Sequence, residues 1–556
     1  MEKSPYDVVI IGAGLSGIVT ARFYLDIHPE SNVAILEGES VIGGVWSSER
    51  QYKGFWSQSG LRMTGFSDVP LRLPEEAKMY HDTLEAKYVT EYLEEYVDSH
   101  VYNGQTIRDR IIFGFQVSSL EKTNGIWIIK GASESSKTIQ ASKFVIATGH
   151  TNIPNLPTVT NEEHFQSRIT HQKDFGRVSR ESPTSYTNVA VLGGGKSAAD
   201  MVYDSVKAGK NVSWIIRRSG AGPAAFAAVN SRGRYRNGAE MSATRFFAAL
   251  SPSCFVPRAW WTGFIHHSAV CRWIVGRIWR GADRACVEGA DFEGRVGKLP
   301  GFGGLRSTTE IFWASGPVGS LQQDDFWEVV ARNVRVYRRD VDRLEARTIV
   351  LEDGVEVSAD ILFCGTGWRH TYPFLTTEQI VSLGLPHSLD EEPESVAGIW
   401  RDLMHDADKQ VLSDFPILAN PPKHIKPKQS TTPARLYNGI APLDDNTIVF
   451  VGQTILSNSF RPAEAQAIWI TAYFDGHVKL PVKEEAMRQV AYMNAFSARR
   501  YPLYGARGNY FHLDLVGYTD RLMEEVGVVS HRGKGAWGDF VEPCLAGDYG
   551  GCYYRK

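Results

Sequence analysis

The stretch Asp7-Val-Val-Ile-Ile-Gly-Ala-Gly-Leu-Ser-Gly17 decides the fold of this chain. Its first five residues are typical of a short buried strand, and the apolar periodicity of residues 18–27 predicts a helix after it. The glycines between them let phosphates approach the backbone at the start of the helix, where free N–H groups attract negative charge. The stretch therefore predicts the first strand, turn and helix of a dinucleotide-binding Rossmann fold.

An acidic residue stands where such a fold needs one. Residues 33–36 form a second apolar run that ends in Glu37, 20 residues beyond Gly17. A carboxylate at the end of the second parallel strand can accept both hydroxyls of an adenosine ribose. The residues of this unit that we expect to contact a dinucleotide are Gly12, Gly14, Ser16, Gly17 and Glu37.

The pattern occurs twice in the chain. Residues 188–192 predict a strand, residues 199–208 a helix and residues 212–216 a further strand, with a second glycine turn after the first of them. Counted from the first glycine, Gly12, Gly14, Gly17 and Glu37 lie at offsets 0, 2, 5 and 25, and Gly193, Gly195, Ala198 and Arg218 lie at the same offsets. The sequence therefore predicts an α/β protein with two Rossmann-like domains.

The two units differ in charge at the position that meets the ribose. The second unit has Arg217 and Arg218 in place of an acid, and guanidinium groups pair with a 2′-phosphate. The alternative is that these two arginines form an ordinary solvated strand end. We expect FAD at the first site and NADPH at the second, where the contacts are Gly193, Gly195, Lys196, Ser197, Arg217 and Arg218.

Composition excludes several other classes of protein. The 556 residues are 43% hydrophobic and 22% charged, which is typical of a globular protein with two or more domains. With 60 basic and 63 acidic side chains, a net charge of −3 and no long Lys/Arg run, no nucleic-acid partner is expected. Six cysteines without a CxxC pair predict neither a disulfide framework nor a metal site. The N-terminus lacks a secretory pattern and no uncharged apolar stretch reaches 18 residues, so we expect a cytoplasmic protein.

Further motifs resemble those of the flavin-containing monooxygenase-like family, class B flavoprotein monooxygenases that carry FAD and NADPH on two Rossmann-like domains. Gly43-Gly-Val-Trp46 resembles the family's GGxW element. Residues 165–175 are similar to its FxGxxxHxxxY/F fingerprint, with Ser167 in place of the central glycine. Each nucleotide unit also ends in a strand and a Thr-Gly turn, at Thr148 and Thr366. The resemblance covers most of the chain and indicates a fungal enzyme of secondary metabolism.

The resemblance also implies roles for individual residues. His171, inside the fingerprint, is implied to act at the hinge between the domains and to help hold NADPH, and it is one of two candidate catalytic residues; the alternative is a plain linker histidine. Residues 446–452 and the later Glu464-Ala-Gln466 resemble the family's terminal FAD segment. The residues implied to contact a cofactor are Gly44, Val45, Trp46, Val117, Thr148, Thr366, Gly452 and Gln466.

One segment departs from the family. Relatives place an Asn after a Thr ahead of an S-D-F-P-like stretch, whereas residues 63–70 of this chain have Gly65 at that position. We therefore expect no amide from this segment at the flavin. Asp68 is the nearest polar candidate for a catalytic role, and an Asp-x-Pro turn ending at Pro70 is the equal alternative.

The expected layout is an FAD domain interrupted by an NADPH domain. The FAD domain comprises residues 1–158 and 368–520, the NADPH domain residues 159–367, and a tail residues 521–556. Residues 220–325 exceed what one Rossmann unit needs, and the run of Trp and Arg at 258–280 predicts helices. This helical insertion is interpreted as a lid over the substrate, as a membrane-surface helix, or as helices packed on the core.

Membership of this family implies a reaction. NADPH would reduce FAD, dioxygen would add at flavin C4a, and the (hydro)peroxyflavin would insert one oxygen atom into an apolar small molecule. N- or S-oxygenation, hydroxylation and Baeyer–Villiger insertion are all compatible with the sequence. The first alternative is an FAD-dependent oxidase or dehydrogenase on the same scaffold, which the missing Asn favours. The second is a protein that binds nucleotides without catalysis.

Overall fold

The structure is a computed structural model that describes residues 5–133, 138–181, 184–231, 233–256, 260–422, 430–530 and 535–551. The strands before the second glycine turn are β1 (Tyr6–Ile11), β2 (Val33–Leu36), β3 (Met79–Tyr80), β4 (Thr83–Leu84), β5 (Val101–Tyr102), β6 (Gln105–Thr106), β7 (Ile111–Ile112), β8 (Val117–Thr123), β9 (Ile126–Gly131), β10 (Ile139–Ile146), β11 (Ile153–Pro154), β12 (Arg168–His171) and β13 (Asn188–Leu192). Those after it are β14 (Asn211–Ile215), β15 (Ala225–Ala228), β16 (Val318–Leu321), β17 (Val334–Tyr337), β18 (Val341–Glu345), β19 (Thr348–Leu351), β20 (Glu356–Ser358), β21 (Ile361–Cys364), β22 (Trp368–Arg369) and β23 (Ile448–Phe450).

The α-helices are numbered in chain order as well. The first are α1 (Leu15–Ile27), α2 (Ala86–Ser99), α3 (Phe175–Glu181), α4 (Lys196–Lys207), α5 (Gly238–Ser242), α6 (Arg245–Ala249), α7 (Trp260–His267) and α8 (Ala269–Glu288). The later ones are α9 (Phe326–Asn333), α10 (Thr377–Ser382), α11 (Glu394–Asp414), α12 (Phe460–Phe474), α13 (Lys483–Arg500), α14 (Leu515–Glu525) and α15 (Gly535–Val541). α1 and α4 each begin one turn earlier than predicted, directly after a glycine turn.

The first sheet is built from segments that precede and follow the second sheet in the chain. Its strand order is β7-β2-β1-β10-β9-β8, and β23 pairs in parallel with the second half of β10. Val8 and Ile10 of β1 face the core formed with α1 and α12, while Val9 and Ile11 face a second core on the other side. Burial on both faces explains why the strand is apolar without alternation.

The second sheet repeats this design. Its strands lie in the order β12-β21-β13-β14-β17, and every neighbouring pair is parallel. Apolar residues of α4 and α9 form one core with this sheet. The predicted fold class, an α/β protein with two Rossmann-like domains, is therefore confirmed.

The chain passes between the two sheets at two adjacent places. β11 and β22 pair antiparallel, with Ile153 opposite Arg369 and Pro154 opposite Trp368. The two crossings therefore form one two-stranded connection. Beside it, the Thr366 hydroxyl donates to the Asn155 carbonyl at 2.6 Å.

The insertion reaches back to the FAD domain. α5, α6, α7 and α8 lie in it, together with β15 and β16. Val275 and Trp279 of α8 are buried in the same core as α1 and α12, and the Trp279 ring meets Phe312 with centroids 5.8 Å apart. Packing on a core therefore describes one face of α8, while the opposite face is exposed. Residues 258 and 259 of the predicted run lie outside the described residues.

The last part of the chain closes on the FAD domain. α14 runs through the predicted boundary at residue 520, and its Met523 belongs to the main core. The Tyr549 side chain is 3% exposed in that same core, with the Arg461 guanidinium 4.7 Å from its ring centroid. The tail, for which the sequence showed no pattern, is thus part of the domain rather than an appendage.

Candidate functional site

One cleft at the carboxyl ends of β1, β2, β10 and β23 collects the residues predicted to hold FAD. Its volume is about 450 Å³, within the range of cofactor sites. The predicted residues that line it are Gly12, Gly14, Ser16, Glu37, Gly44, Val45, Val117, Thr148, Gly452 and Gln466. They come from separate segments that the parallel sheet brings to one edge.

The first glycine turn is required by the close approach of two backbone segments. Gly12 has a φ of +107°, and a Cβ on it would lie 2.6 Å from the carbonyl oxygen of Ala147, just after β10. α1 begins directly after Gly14, which has no side chain to cap the helix. The first N–H groups of α1 are therefore left for a negatively charged ligand.

Glu37 follows β2 at the rim of the cleft. One oxygen of its carboxylate accepts a hydrogen bond from the Ala13 N–H at 2.7 Å, and the other accepts one from the Glu39 N–H at 3.0 Å. These bonds fix the carboxylate beside the glycine turn. Its remaining lone pairs are available to donors such as ribose hydroxyls.

Gln466 of α12 shapes the opposite wall of the cleft. Its side-chain oxygen accepts a hydrogen bond from the Gly452 N–H at 3.0 Å, and its NH₂ group donates to the Tyr518 hydroxyl at 2.7 Å. Tyr518 in turn donates to the Asn438 carbonyl at 2.8 Å. The Gln466 amide therefore holds the turn at Gly452 in place.

Two predicted cofactor contacts, Gly17 and Trp46, do not line the cleft. A Cβ on Gly17 would meet the Gly12 carbonyl oxygen far closer than 3.0 Å, the shortest approach that real Cβ atoms make. This glycine is therefore needed for the packing of α1 on the turn. The Trp46 ring stacks on Phe55, with centroids 5.4 Å apart, and supports the cleft from behind.

The second glycine turn has the same construction. Gly193 has a φ of +136°, and a Cβ on it would overlap the carbonyl oxygen of Gly365, just after β21. α4 begins after Gly195, where a Cβ would meet nothing within 4 Å. Open space at an uncapped helix end suits a pyrophosphate. Ser197 lies in the first turn of α4, next to this open space. The Lys196 ammonium is paired with the Asp200 carboxylate, one turn further along the same helix.

Three arginines converge where β14 and β17 end. Arg217 and Arg218 follow β14 and are exposed. Arg338 follows the neighbouring strand, and its guanidinium donates to the Arg217 carbonyl at 3.5 Å. Burial, and then the charge of Arg218, lowers the pKa of Arg338. Arg218 pairs with Glu352 at 3.4 Å, so the cluster has an excess of positive charge that a phosphate would neutralise.

Known proteins similar to this chain are flavoenzymes. Residues 9–229 match the family model described as pyridine nucleotide-disulphide oxidoreductase. The FAD-dependent monooxygenase rstn6 of Aspergillus nomiae is 28% identical, over 95% of this chain and 94% of that protein. An FAD-dependent monooxygenase of Pyrenophora dematioidea is 30% identical, over 96% of this chain and 99% of that protein. The chain belongs to the family of FAD-dependent monooxygenases.

A solved structure has the same fold as this monooxygenase. A cyclohexanone monooxygenase mutant from Rhodococcus sp. Phi1, crystallised with NADP+, is 17% identical and superposes with a TM-score of 0.62 over 94% of this chain and 98% of that one. At this identity the likeness concerns the fold. The predicted family resemblance is confirmed, and the chain is an oxidoreductase.

His171 sits at the connection between the two domains of the monooxygenase. Its Nε2 lies 2.8 Å from the Gly367 carbonyl, and its Nδ1 accepts the Lys173 N–H at 3.2 Å. The ring is 2% exposed and meets Trp368 edge-on, with centroids 4.7 Å apart. Both ring nitrogens are therefore occupied, which favours the predicted hinge role over direct catalysis.

Asp68 is held in an ion-pair network away from the cleft. Its carboxylate lies 2.8 Å from His100 Nε2 and 3.3 Å from the Arg22 guanidinium, and it accepts the Tyr96 hydroxyl at 3.1 Å. Burial acts to raise the pKa of Asp68, but the His100 hydrogen bond and the Arg22 charge hold that pKa below its ordinary value. The structure therefore favours a structural role for Asp68.

The segment around Asp68 is a short loop between Gly65 and Pro70. Gly65 and Pro70 make an antiparallel bridge. The Tyr92 hydroxyl accepts the Phe66 N–H and donates to the Val69 carbonyl, both at 2.8 Å. These bonds close residues 65–70 into a compact loop beside α2, and the Asp-x-Pro turn stays a prediction.

Asp68→Asn is expected to lower the free energy of unfolding at pH 7 by about 1–3 kcal/mol, because it removes the carboxylate from Arg22 and His100. The low folded-state pKa of Asp68 stabilises the protein above the unfolded pKa, and this stabilisation is lost as the pH falls through the folded value. Urea unfolding at pH 7 and at acidic pH should therefore separate the two proteins only at pH 7.

Asp98→Asn is the matched control for this prediction. Asp98 also pairs with an arginine, Arg108, but its side chain is 56% exposed, so a change within about 0.5 kcal/mol is expected. An Asp68→Asn protein with wild-type stability but greatly slowed oxygen insertion would contradict the structural role.

The cleft contains polar groups that the sequence analysis did not single out. They include Gln453, Asn458, His150 and His370. The Asn458 NH₂ donates to Ser59 Oγ at 3.0 Å and to the Met63 carbonyl at 3.1 Å. The Asn458 amide therefore lines the cleft, and it comes from the loop before α12 rather than from position 65.

His150 precedes β11 and His370 follows β22, so both histidines lie beside the two-stranded connection. Their rings are 6.3 Å apart and nearly parallel. Burial lowers the pKa of His150, and burial with the charge of Arg507 lowers the pKa of His370 to about 4. Both rings are therefore neutral near pH 7. Their positions just beyond the Thr-Gly turns were the available sequence signal.

Proposed function

We propose that this chain is an FAD- and NADPH-dependent monooxygenase that inserts one atom of dioxygen into an apolar small molecule. The proposal is carried by the opposite charges at matched positions, Glu37 in the first nucleotide unit and Arg217 and Arg218 in the second. An acid accepts ribose hydroxyls and repels a 2′-phosphate, whereas arginines pair with that phosphate. NADP+ in the structure of the similar cyclohexanone monooxygenase supports the same assignment.

The first cleft fits FAD by its own geometry. Gly14 leaves the start of α1 open, and Glu37 stands beside the turn with free lone pairs. We assign the pyrophosphate to the N–H groups after Gly14, the ribose to Glu37, and the flavin end to the wall formed by Gly452 and Gln466. Bound FAD would take hydride from NADPH and supply the oxygen chemistry.

The second unit fits NADPH in the same terms. The open helix start at Gly195 would take the pyrophosphate, and Arg217, Arg218 and Arg338 would take the 2′-phosphate. We assign the hinge between the two domains to the connection of β11 and β22, where the His171 ring contacts the Gly367 carbonyl.

The polar residues of the cleft determine which hydrogen bonds a ligand can make there and how far bulk water reaches. His150 and His370 are neutral, so neither ring adds a positive charge. The one N–H of His150 donates from Nδ1 to the Gly452 carbonyl at 3.4 Å, which leaves the His370 ring as the N–H donor for a ligand. Asn458 is 6% exposed and fixes the segment of Ser59 and Met63 against α12. We infer that this packing limits the access of bulk water to that part of the cleft.

An oxidase or dehydrogenase is the second candidate function, and Gly65 favours it. Gly65 has a φ of +103°, and a Cβ on it would lie 3.1 Å from the Leu71 nitrogen. An Asn in this position would strain the turn, so the amide that relatives place there is absent from it. The Asn458 amide does not replace it, because its NH₂ group donates to Ser59 and Met63 and its oxygen accepts the Arg461 N–H.

Anaerobic titration followed by labelled dioxygen tests the proposal. The purified protein should contain FAD, and NADPH should reduce it at far lower concentrations than NADH. Admission of ¹⁸O₂ with a panel of thioethers, tertiary amines and ketones should place one ¹⁸O atom in a product. Full release of the oxygen as hydrogen peroxide with every substrate that stimulates NADPH consumption would favour the oxidase, and a colourless protein that cannot retain FAD would refute both candidates.

A further inference from the structure

The exposed face of α8 is unusual for a helix of a globular domain. Its buried face carries Val275, Trp279 and Cys286. Its opposite face carries apolar side chains that remain 44–67% exposed, and α7 adds a 61% exposed Phe264 beside it; the residues of α8 are Val270, Trp273, Ile274 and Ile278. An apolar stripe facing solvent marks an interaction site.

Positive charge borders this stripe. Trp273, Arg277, Arg280 and Arg284 follow one another at helical spacing, and the three arginines are exposed. The Arg277 guanidinium lies 5.8 Å from the Trp273 ring centroid. α8 contains four arginines and two acids, although the whole chain has a net charge of −3. The local charge is therefore opposite to that of the molecule.

The stripe does not belong to the cofactor cleft. The residues that line the cleft include none from α7 or α8, so a lid over the cofactor does not explain it. Arg272 donates to the His266 carbonyl at 3.3 Å and ties the start of α8 to the end of α7. The two helices are thereby joined, and each presents exposed apolar side chains.

We propose that the exposed face of α7 and α8 docks the protein on an anionic lipid surface. Trp, Phe and Ile side chains would enter the boundary between headgroups and acyl chains, and Arg277, Arg280 and Arg284 would pair with anionic headgroups. Within the described residues, no helix combines the length and the apolar character needed to span a bilayer, so the contact is peripheral.

Charge favours lipid over a second copy of the chain on this face. In a two-fold dimer through α8, the Arg277 and Arg280 side chains of the two copies would meet each other, and like charges brought together in an interface oppose association. Phosphate headgroups offer the complementary charge. The proposal is independent of the cofactors and of the reaction.

Flotation with lipid vesicles tests the proposal on the full-length protein. The wild type should bind vesicles with about one third phosphatidylserine at least about tenfold more tightly than vesicles of phosphatidylcholine, and high salt should weaken this binding. Trp273→Glu with Ile278→Glu should weaken binding by about tenfold or more. Arg277→Glu with Arg280→Glu should weaken it by a similar factor, on the phosphatidylserine vesicles only.

Trp537→Glu is the matched control, because Trp537 is 73% exposed on α15, away from α8 in the sequence. It should leave binding unchanged. All variants change exposed side chains, and equal FAD content and thermal unfolding would establish that they fold. Three results would overturn the proposal: no binding of the wild type to either vesicle, equal binding of the α8 variants and the wild type, or a wild-type dimer that Ile278→Glu dissociates.

Discussion

Gly17→Ala is expected to destabilise the protein by about 3 kcal/mol or more and to abolish its retention of FAD. Helix propensity alone predicts the opposite sign, because Ala is favoured over Gly in a helix by about 1 kcal/mol. Packing decides the outcome. The new Cβ would overlap the Gly12 carbonyl oxygen, so either α1 or the turn must move, and the helix start would lose its place at the cleft.

Thermal unfolding and the flavin absorbance of the purified protein measure this effect. Gly398→Ala is the control: Gly398 lies inside α11, and a Cβ there would meet nothing within 4 Å. That variant should gain about 0.5–1 kcal/mol and keep its FAD. A yellow Gly17→Ala protein as stable as the Gly398→Ala protein would show that the contact between α1 and the turn is not tight.

The second nucleotide unit has an alanine at the offset of Gly17. Ala198 occupies the place of Gly17, and the residue that faces it across the contact is Gly365, where the first unit has Ala147. In the first unit the methyl group of this contact is on the residue after the strand, and in the second unit it is on the helix. Offsets along the sequence revealed the equivalence of the two units, but only the packed structure reveals this exchange, since its members are far apart in the chain.

Sequence predicted most of what depends on local pattern. The two strand-turn-helix units, their order in the chain and the residues from Gly12 to Val117 that line the cleft follow from glycine spacing, apolar runs and family motifs. Arg338 was missed because its strand carries no motif. It reaches the cluster of Arg217 and Arg218 only because β17 pairs with β14.

Other features depend on contacts between distant segments and could not be predicted. Trp273 and Trp279 belong to the same Trp- and Arg-rich run, yet one is 60% exposed and the other 4%. Which face of α8 is buried depends on its contact with the FAD domain. The residues that make this contact are far apart in the sequence. Likewise, the sequence offered Asp68 as a catalytic candidate because it could not show the partners of this carboxylate. Those partners, Arg22 and His100, lie on or next to two different helices.

Arg217→Ala combined with Arg218→Ala is expected to weaken binding of NADPH by about 100-fold and to leave binding of NADH within about twofold. Each guanidinium that pairs with the 2′-phosphate contributes a charge-assisted bond, and the NADH ribose has no group to pair with it. Calorimetric titration with 2′,5′-ADP and with AMP measures the same discrimination without turnover. The double variant should lose its preference for 2′,5′-ADP and keep its FAD.

Arg401→Ala combined with Arg488→Ala is the control, because both arginines are exposed on helices outside the second sheet and each pairs with an acid on its own helix. That variant has the same net charge as the test variant, so a general charge effect would appear in both. Residual preference for 2′,5′-ADP in the test variant should vanish when Arg338→Ala is added, because Arg338 lies against the Arg217 backbone and carries the remaining positive charge. If NADPH and NADH binding fell by the same factor, the arginines would be supporting the fold of the β14 end rather than recognising a phosphate, and the opposite charges of the two nucleotide units would no longer identify their ligands.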